Sequence, residues 1–195
     1  MIKRLVITLM TLSVFACAST EPTSSIKYYV LDAHPAPIRQ SLSDYLIQVL
    51  PISVPQYLDQ PNLVLRESDQ KMRIASYHSW ADNLADSIQR VLVNELNRKN
   101  TDFSMAYECK DCAALGVLIE HFYPTANGDV VLSGSYTLDV GHGTPHRSHF
   151  FFTKALAADG YSEAVKQMRQ LLEELAEQLN GDLSLMLKME RDKSS

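Results

Sequence analysis

The chain of 195 residues is poor in glycine (seven) and cysteine (three), has one tryptophan and shows no surplus of positive charge. No glycine-rich phosphate cradle, nucleophile elbow or zincin spacing occurs, which excludes the common routes to nucleotide, acyl-transfer and zinc-hydrolase chemistry. Eighteen Lys and Arg stand against 23 Asp and Glu, a formal net charge of −5. Such a balance disfavours a phosphate-backbone partner, so no nucleic acid is expected. The apolar run from Leu5 to Phe15 is too short to cross a bilayer, which takes about 20 apolar residues. No charge run, low-complexity tract or internal repeat follows Ser25. The isolated carboxylates offer no assignable acid/base pair. An enzyme is therefore disfavoured, and neither a cofactor nor a resident metal is expected.

What the chain does have starts at its amino end. Lys3 and Arg4 precede the apolar run, Ala16 is small, Cys17 follows, and then comes the polar segment ASTEPTSS. A charged start, a short hydrophobic stretch and a small residue before the cut are the layout of a secretion signal. A cysteine directly after the small residue gives the pattern of a bacterial lipobox. In that reading residues 1–16 are removed, and Cys17 is acylated, palmitate among its chains, and becomes the new amino terminus. The alternative is an ordinary signal peptide whose cut falls near a cysteine. With the lipobox, 17–25 is an acylated residue plus flexible tether, and 26–195 is one periplasmic domain. Acyl chains then supply membrane affinity, at about 0.8 kcal/mol per buried methylene. Ala18, where an aspartate would favour the inner membrane, favours the outer one. Loss of residues 1–16 takes Lys3 and Arg4 with it, leaving 179 residues and a charge of −7. That length suits one domain with a real core.

Ile26 to Asp32 is rich in β-branched and aromatic residues and predicts a first strand, stopped by His34-Pro35-Ala36-Pro37. Tyr45 to Ser53 predicts a second, with Pro51 marking an edge or a bulge. Leu63 to Arg66 and Met72 to Ser76 predict a hairpin. From Trp80 the period changes: Trp80, Leu84, Ile88, Val91, Leu92 and Leu96 form one stripe, an amphipathic helix ending near Arg98 and Lys99. Asn127-Gly128 between alternating runs predicts a type I′ hairpin, with Gly134 marking a bulge or a close contact. Arg147 to Lys154 returns as a strand. A last helix from Tyr161 carries Val165, Met168, Leu171, Leu172, Leu175 and Leu179 and is expected to stop at Gly181. Beyond Asp182 a helical turn, a strand and a partner-facing strip are all compatible with the pattern. The order implies an α+β fold, a largely antiparallel sheet covered by two main amphipathic helices.

The lipobox at Cys17, KYYVL, VPQYLDQPNLVLR, Trp80 opening a helix, VVLSGSYTLD and DGYSEAVKQM occur in one order and spacing. Together they resemble the PqiC/YmbA family of ABC-type transport auxiliary lipoproteins, from about Lys27 to Leu179. The resemblance implies a non-enzymatic outer-membrane lipoprotein that supports envelope integrity. It would work with a periplasm-spanning MCE-domain protein of the PqiB type, and with that protein's inner-membrane partner, to move lipid. It also implies a homo-oligomer, with a ring receiving the end of the MCE tunnel as one arrangement.

Candidate chemistry outside that resemblance is confined to two clusters. Cys109 and Cys112, in ECKDC, suit a local disulfide in an oxidising compartment; a redox centre would want the pair opening a helix after a strand. His142, His146 and His149 crowd one segment and suggest either a metal site or a solvated hairpin loop, without a carboxylate or cysteine at ligand spacing. These clusters carry the alternative function, a periplasmic metal- or thiol-dependent enzyme or redox protein. Tyr57 and Leu58 lie between two prolines, where an aromatic can anchor a partner or simply cover the end of the core. Trp80 has the same two readings, core lid or contact.

Overall fold

A computed structural model describes residues 25–31, 45–99, 102–140 and 144–194. Among the described residues eight strands and two helices follow in order: β1 (Lys27–Tyr29), β2 (Leu46–Val49), β3 (Asn62–Ser68), β4 (Lys71–Trp80), α1 (Leu84–Lys99), β5 (Ser104–Ala106), β6 (Ala113–Pro124), β7 (Asp129–Asp139), β8 (His146–Ala155) and α2 (Tyr161–Ser194). The α+β class is as expected, but the strands divide into two sheets, β1-β4-β3 and β5-β2-β6-β7-β8. The long ladders, β3-β4, β6-β7 and β7-β8, are antiparallel. The short ones made by β1 and β2 are parallel. A bridge between Arg66 and Thr125, with Ala126 N–H donating to Arg66 C=O at 2.8 Å, joins the sheets at their hairpin tips.

Both helices pack on one face of the larger sheet and against each other. Alternation decides that face: Val130, Leu132, Tyr136 and Leu138 of β7 turn inward and are buried with Phe150 of β8. They meet Leu171, Leu172, Leu175 and Leu179 of α2, all fully buried. Each such side chain contributes about 1.5–3 kcal/mol relative to leaving it in water. Ile88, Val91, Leu92 and Leu96 of α1 complete the layer.

Several expectations are corrected in detail. Trp80 does not open α1; it ends β4, and its amide donates to Pro61 C=O at 2.6 Å. The helix starts four residues on because Asn83 caps it, its side-chain oxygen accepting the Asp86 N–H at 3.2 Å. Pro51 does not mark an edge, since β2 is flanked by β5 and β6; it lies where the chain gains one residue against β6, between the Val49–Leu115 pair and the Ser53–Leu118 bridge, which is the bulge given as the alternative. The Asn127-Gly128 reversal is not type I′. Among these residues only Gly128 has positive φ (85°), and Gly128 N–H donates to Thr125 C=O. Three residues, Ala126 to Gly128, make the turn, a type I turn closed by a left-handed glycine.

Gly181 does not end α2, which runs on to Ser194. A helical glycine costs only about 1 kcal/mol against alanine, and the buried Leu183 and Leu187 extend the stripe beyond it. The Tyr136 hydroxyl donates to Asp182, tying that extension to β7. Gly134 marks both features it was expected to mark as alternatives. It faces Ile119 where β6 has one extra residue before His121, and a Cβ there would lie 2.0 Å from the Leu118 carbonyl oxygen. The bulge reverses the side-chain alternation, so that Phe122 and not Tyr123 continues the inward row of Val117 and Ile119.

Candidate functional site

The loop from Val54 to Pro61, the end of β4 and strand β1 converge next to the start of α1. Ala81 N–H donates to Tyr29 C=O at 2.8 Å, and the Trp80 amide already belongs to Pro61. A cavity of about 330 Å³ opens between them, lined by Asp59, Gln60, Pro61, Trp80, Ala81, Asp82 and Asn83. Its carboxylates are engaged. Asp82 accepts from Asn83 N–H at 2.8 Å and from Arg90 at 2.5 Å, which hold it below the usual carboxylate range, the backbone bond first. Asp59 accepts from the Asn83 side chain at 3.3 Å.

The three candidate contact residues surround this region with different exposure. Leu58 is 2 % and Trp80 7 % exposed, so both are built into the core. Tyr57 is half-buried, and its hydroxyl donates to Glu120 C=O at 2.8 Å and lies 3.3 Å from His121 Nδ1. The same Nδ1 is 3.1 Å from the Tyr123 hydroxyl. Burial and the neighbouring Tyr123 push the Tyr57 phenol up to about 12, partly offset by Arg66. It stays a neutral hydrogen-bonding group at ordinary pH, unsuited to proton transfer.

Cys109 and Cys112 are joined in the loop between β5 and β6, their Cα atoms 5.8 Å apart, a spacing a disulfide spans. Asp111 between them takes a left-handed φ of 57° to turn the chain. A strand, not a helix, follows, so the setting that lowers a thiol pKa at a helix start is missing here. Of the histidines, His142 lies outside the described residues. His146 and His149 sit three positions apart on β8, facing opposite sides of the sheet, so they do not converge. Among the described residues no group of three or more His, Cys, Asp or Glu is placed to hold a metal ion. Cys17 also lies outside the described residues, and no helix among those described is long and apolar enough to cross a membrane.

Two polar constellations had no signal in the sequence because their members are far apart in it. Glu95, buried on α1, accepts from Arg169 of α2 at 2.6 Å and from Arg98. Burial works to raise its pKa, yet the two guanidinium partners outweigh it and hold the carboxyl below its ordinary value. Lys99 and Glu177 add an outer pair at 2.6 Å. The second constellation is Tyr29, His78 and Tyr161, which gathers β1, β4 and the start of α2 around one imidazole.

The described residues form an α+β domain of two sheets with two helices on one face of the larger one. The same architecture occurs in solved structures. An uncharacterised protein superposes with a TM-score of 0.73 at 26% identity, over 82% of this chain and 99% of its own. A protein from Xanthomonas campestris superposes with a TM-score of 0.67 over 88% of this chain and 100% of its own, and at 15% identity it shares the fold. Residues 29–180 match the family described as "ABC-type transport auxiliary lipoprotein component", and the chain belongs to that family. It is 27% identical over 168 residues to the intermembrane transport lipoprotein PqiC of Escherichia coli K12, covering 84% of this chain and 88% of the relative. PqiC of Shigella flexneri matches to the same extent.

Proposed function

We propose that this protein is a non-catalytic subunit of an intermembrane transport system, fixed by acylated Cys17 to the periplasmic side of the outer membrane. It links a periplasm-spanning MCE-domain protein of the PqiB type to that membrane, works as a homo-oligomer, and so supports envelope integrity. The observation that carries this reading is the match to PqiC over most of both chains, joined to a lipobox at the head of this one. Tyr57, with its partly exposed ring and fixed hydroxyl, is the proposed partner contact of the three candidates. Leu58 and Trp80 would hold the loop that presents it.

The test is affinity isolation from detergent-solubilised envelopes after mild crosslinking, read by mass spectrometry for protein and bound lipid. An MCE-domain protein should be recovered with the wild-type chain, and Cys17→Ala should move the protein into the soluble periplasmic fraction. Recovery of no MCE partner from crosslinked membranes, or an unchanged location for Cys17→Ala, would sink the reading.

A further inference from the structure

We infer that the outward face of β1, together with Tyr77 of β4, is a second membrane contact that lies in the headgroup region of the bilayer holding the anchor. The inference rests on the proposed acylation of Cys17. Ile26, Tyr28 and Val30 alternate along one face of the chain and are 50 %, 66 % and 47 % exposed. Their neighbours Tyr29 and Leu31 turn the other way, Tyr29 onto His78 and Leu31 into the core. The parallel register sets Tyr28 opposite Ser79 and Lys27 opposite His78. One residue before that register on β4, Tyr77 is 52 % exposed, while Ser79 opposite Tyr28 is buried. A strand with one face on the core and one in water normally reads apolar inside and polar outside. Here the outward row Ile26, Tyr28 and Val30 is apolar as well, and exposed apolar surface of this kind marks an interaction site.

Chain length selects the occupant. The eight residues Ala18 to Ser25 separate Cys17 from this strip. A segment of that length reaches no further than about 30 Å. The strip is therefore held within a short reach of the bilayer, where a weak contact is reinforced by the tether. Its chemistry fits that depth. Tyrosine favours the boundary between headgroups and acyl chains because its ring is apolar and its hydroxyl is wet. A bilayer contact here fixes the orientation of the whole domain, with β1 against the lipid.

The test uses the full acylated chain, purified from envelopes and reconstituted into vesicles of phosphatidylethanolamine and phosphatidylglycerol with brominated acyl chains. Tryptophan is introduced by Tyr28→Trp and, as a control on exposed Phe151 of β8, by Phe151→Trp; the Trp80 signal of the parent protein is subtracted. The emission gained at position 28 should be quenched roughly twofold or more relative to unbrominated vesicles, and that gained at position 151 should not. Intact mass reports the acyl groups on Cys17 in the same sample. Equal quenching at both positions, or none at position 28 in protein with the acyl mass, overturns the membrane contact and leaves the anchor standing. An absent acyl mass overturns both. A strip occupied by a second copy shows instead as unquenched emission at position 28, with a lower oligomer mass for the combined Tyr28→Ser, Tyr77→Ser variant.

Discussion

The hydroxyl of Tyr29 lies 2.7 Å from Nδ1 of His78, and the imidazole stacks on Tyr161 with ring centroids 4.0 Å apart. A strand of three residues has little pairing of its own, so this contact and the Ala81–Tyr29 backbone bond hold β1 in place. Burial, and then the charge of Lys27, depress the His78 pKa.

A histidine with a depressed folded pKa contributes stability that is present above its unfolded value, about 6.5, and is lost as pH falls through the lower folded value. Relative to the intrinsic rate at each pH, hydrogen exchange at the Ala81 amide should therefore accelerate as pH falls from about 7.5 to about 5. In His78→Gln that acceleration should largely vanish. Equal acceleration in both proteins would show that some other group titrates.

Glu95 joins the two helices through Arg169, with Arg98 beside it. Glu95→Gln leaves the largely buried guanidinium of Arg169 with only the longer contact to Glu173 at 3.6 Å and should cost about 2–3 kcal/mol. Because the carboxyl is held below its ordinary range, its contribution is complete above the unfolded value and is lost on acidification through the lower folded one. Urea unfolding should show this loss at low pH in the wild type and a flatter profile in Glu95→Gln. A double-mutant cycle with Arg169→Met should return a coupling between the two sites.

Two glycines predict opposite outcomes. Gly134→Ala would drive a Cβ into the Leu118 carbonyl, backbone that cannot step aside, and should destabilise by about 2–4 kcal/mol. A Cβ at Gly181 meets nothing within 4 Å, on a helix that continues past it. Gly181→Ala should stabilise by about 0.5–1 kcal/mol. The urea midpoints of the two variants should move in opposite directions from wild type.

The Cys109–Cys112 pair closes a loop of four residues, worth about 2 kcal/mol in the chain-entropy model. Reduction, or replacement of both residues by serine, should lower the melting temperature by about 4–8 °C and leave partner recovery unchanged. Loss of binding on reduction would give the pair a role beyond stability.

Short-range patterns were the legible part of the fold. The three- and four-residue stripe located α1, strict alternation located β7, and the apolar content of β1 and β8 marked them as strands. The misplaced features are those where a local pattern was overruled from elsewhere. Trp80 has the spacing of a helix residue but belongs to β4, because Asn83 provides the cap and Pro61 takes the Trp80 amide. Gly181 looked like a stop, yet the contacts of Leu183, Leu187 and Asp182 keep the helix going. Strand β5 has three residues, too few for any periodicity, and exists because β2 offers it an edge. Of the candidate site, Tyr57 could be singled out from its flanking prolines. The Glu95 and His78 constellations could not, since pairing across some 50 to 80 residues leaves no mark on spacing.

The position of β2 has a kinetic consequence. Ile47 pairs with Ala113 on one side and with Met105 on the other, so an interior strand of the larger sheet is made early and completed late. A polypeptide that emerges amino end first must carry these apolar residues unpaired until β5 arrives and half-paired until β6 does, and such long-range closure is slow. Assembly of the sheet is thus gated by the arrival of β6, and a nascent chain halted short of it would expose a sticky interior strand to whatever surrounds it.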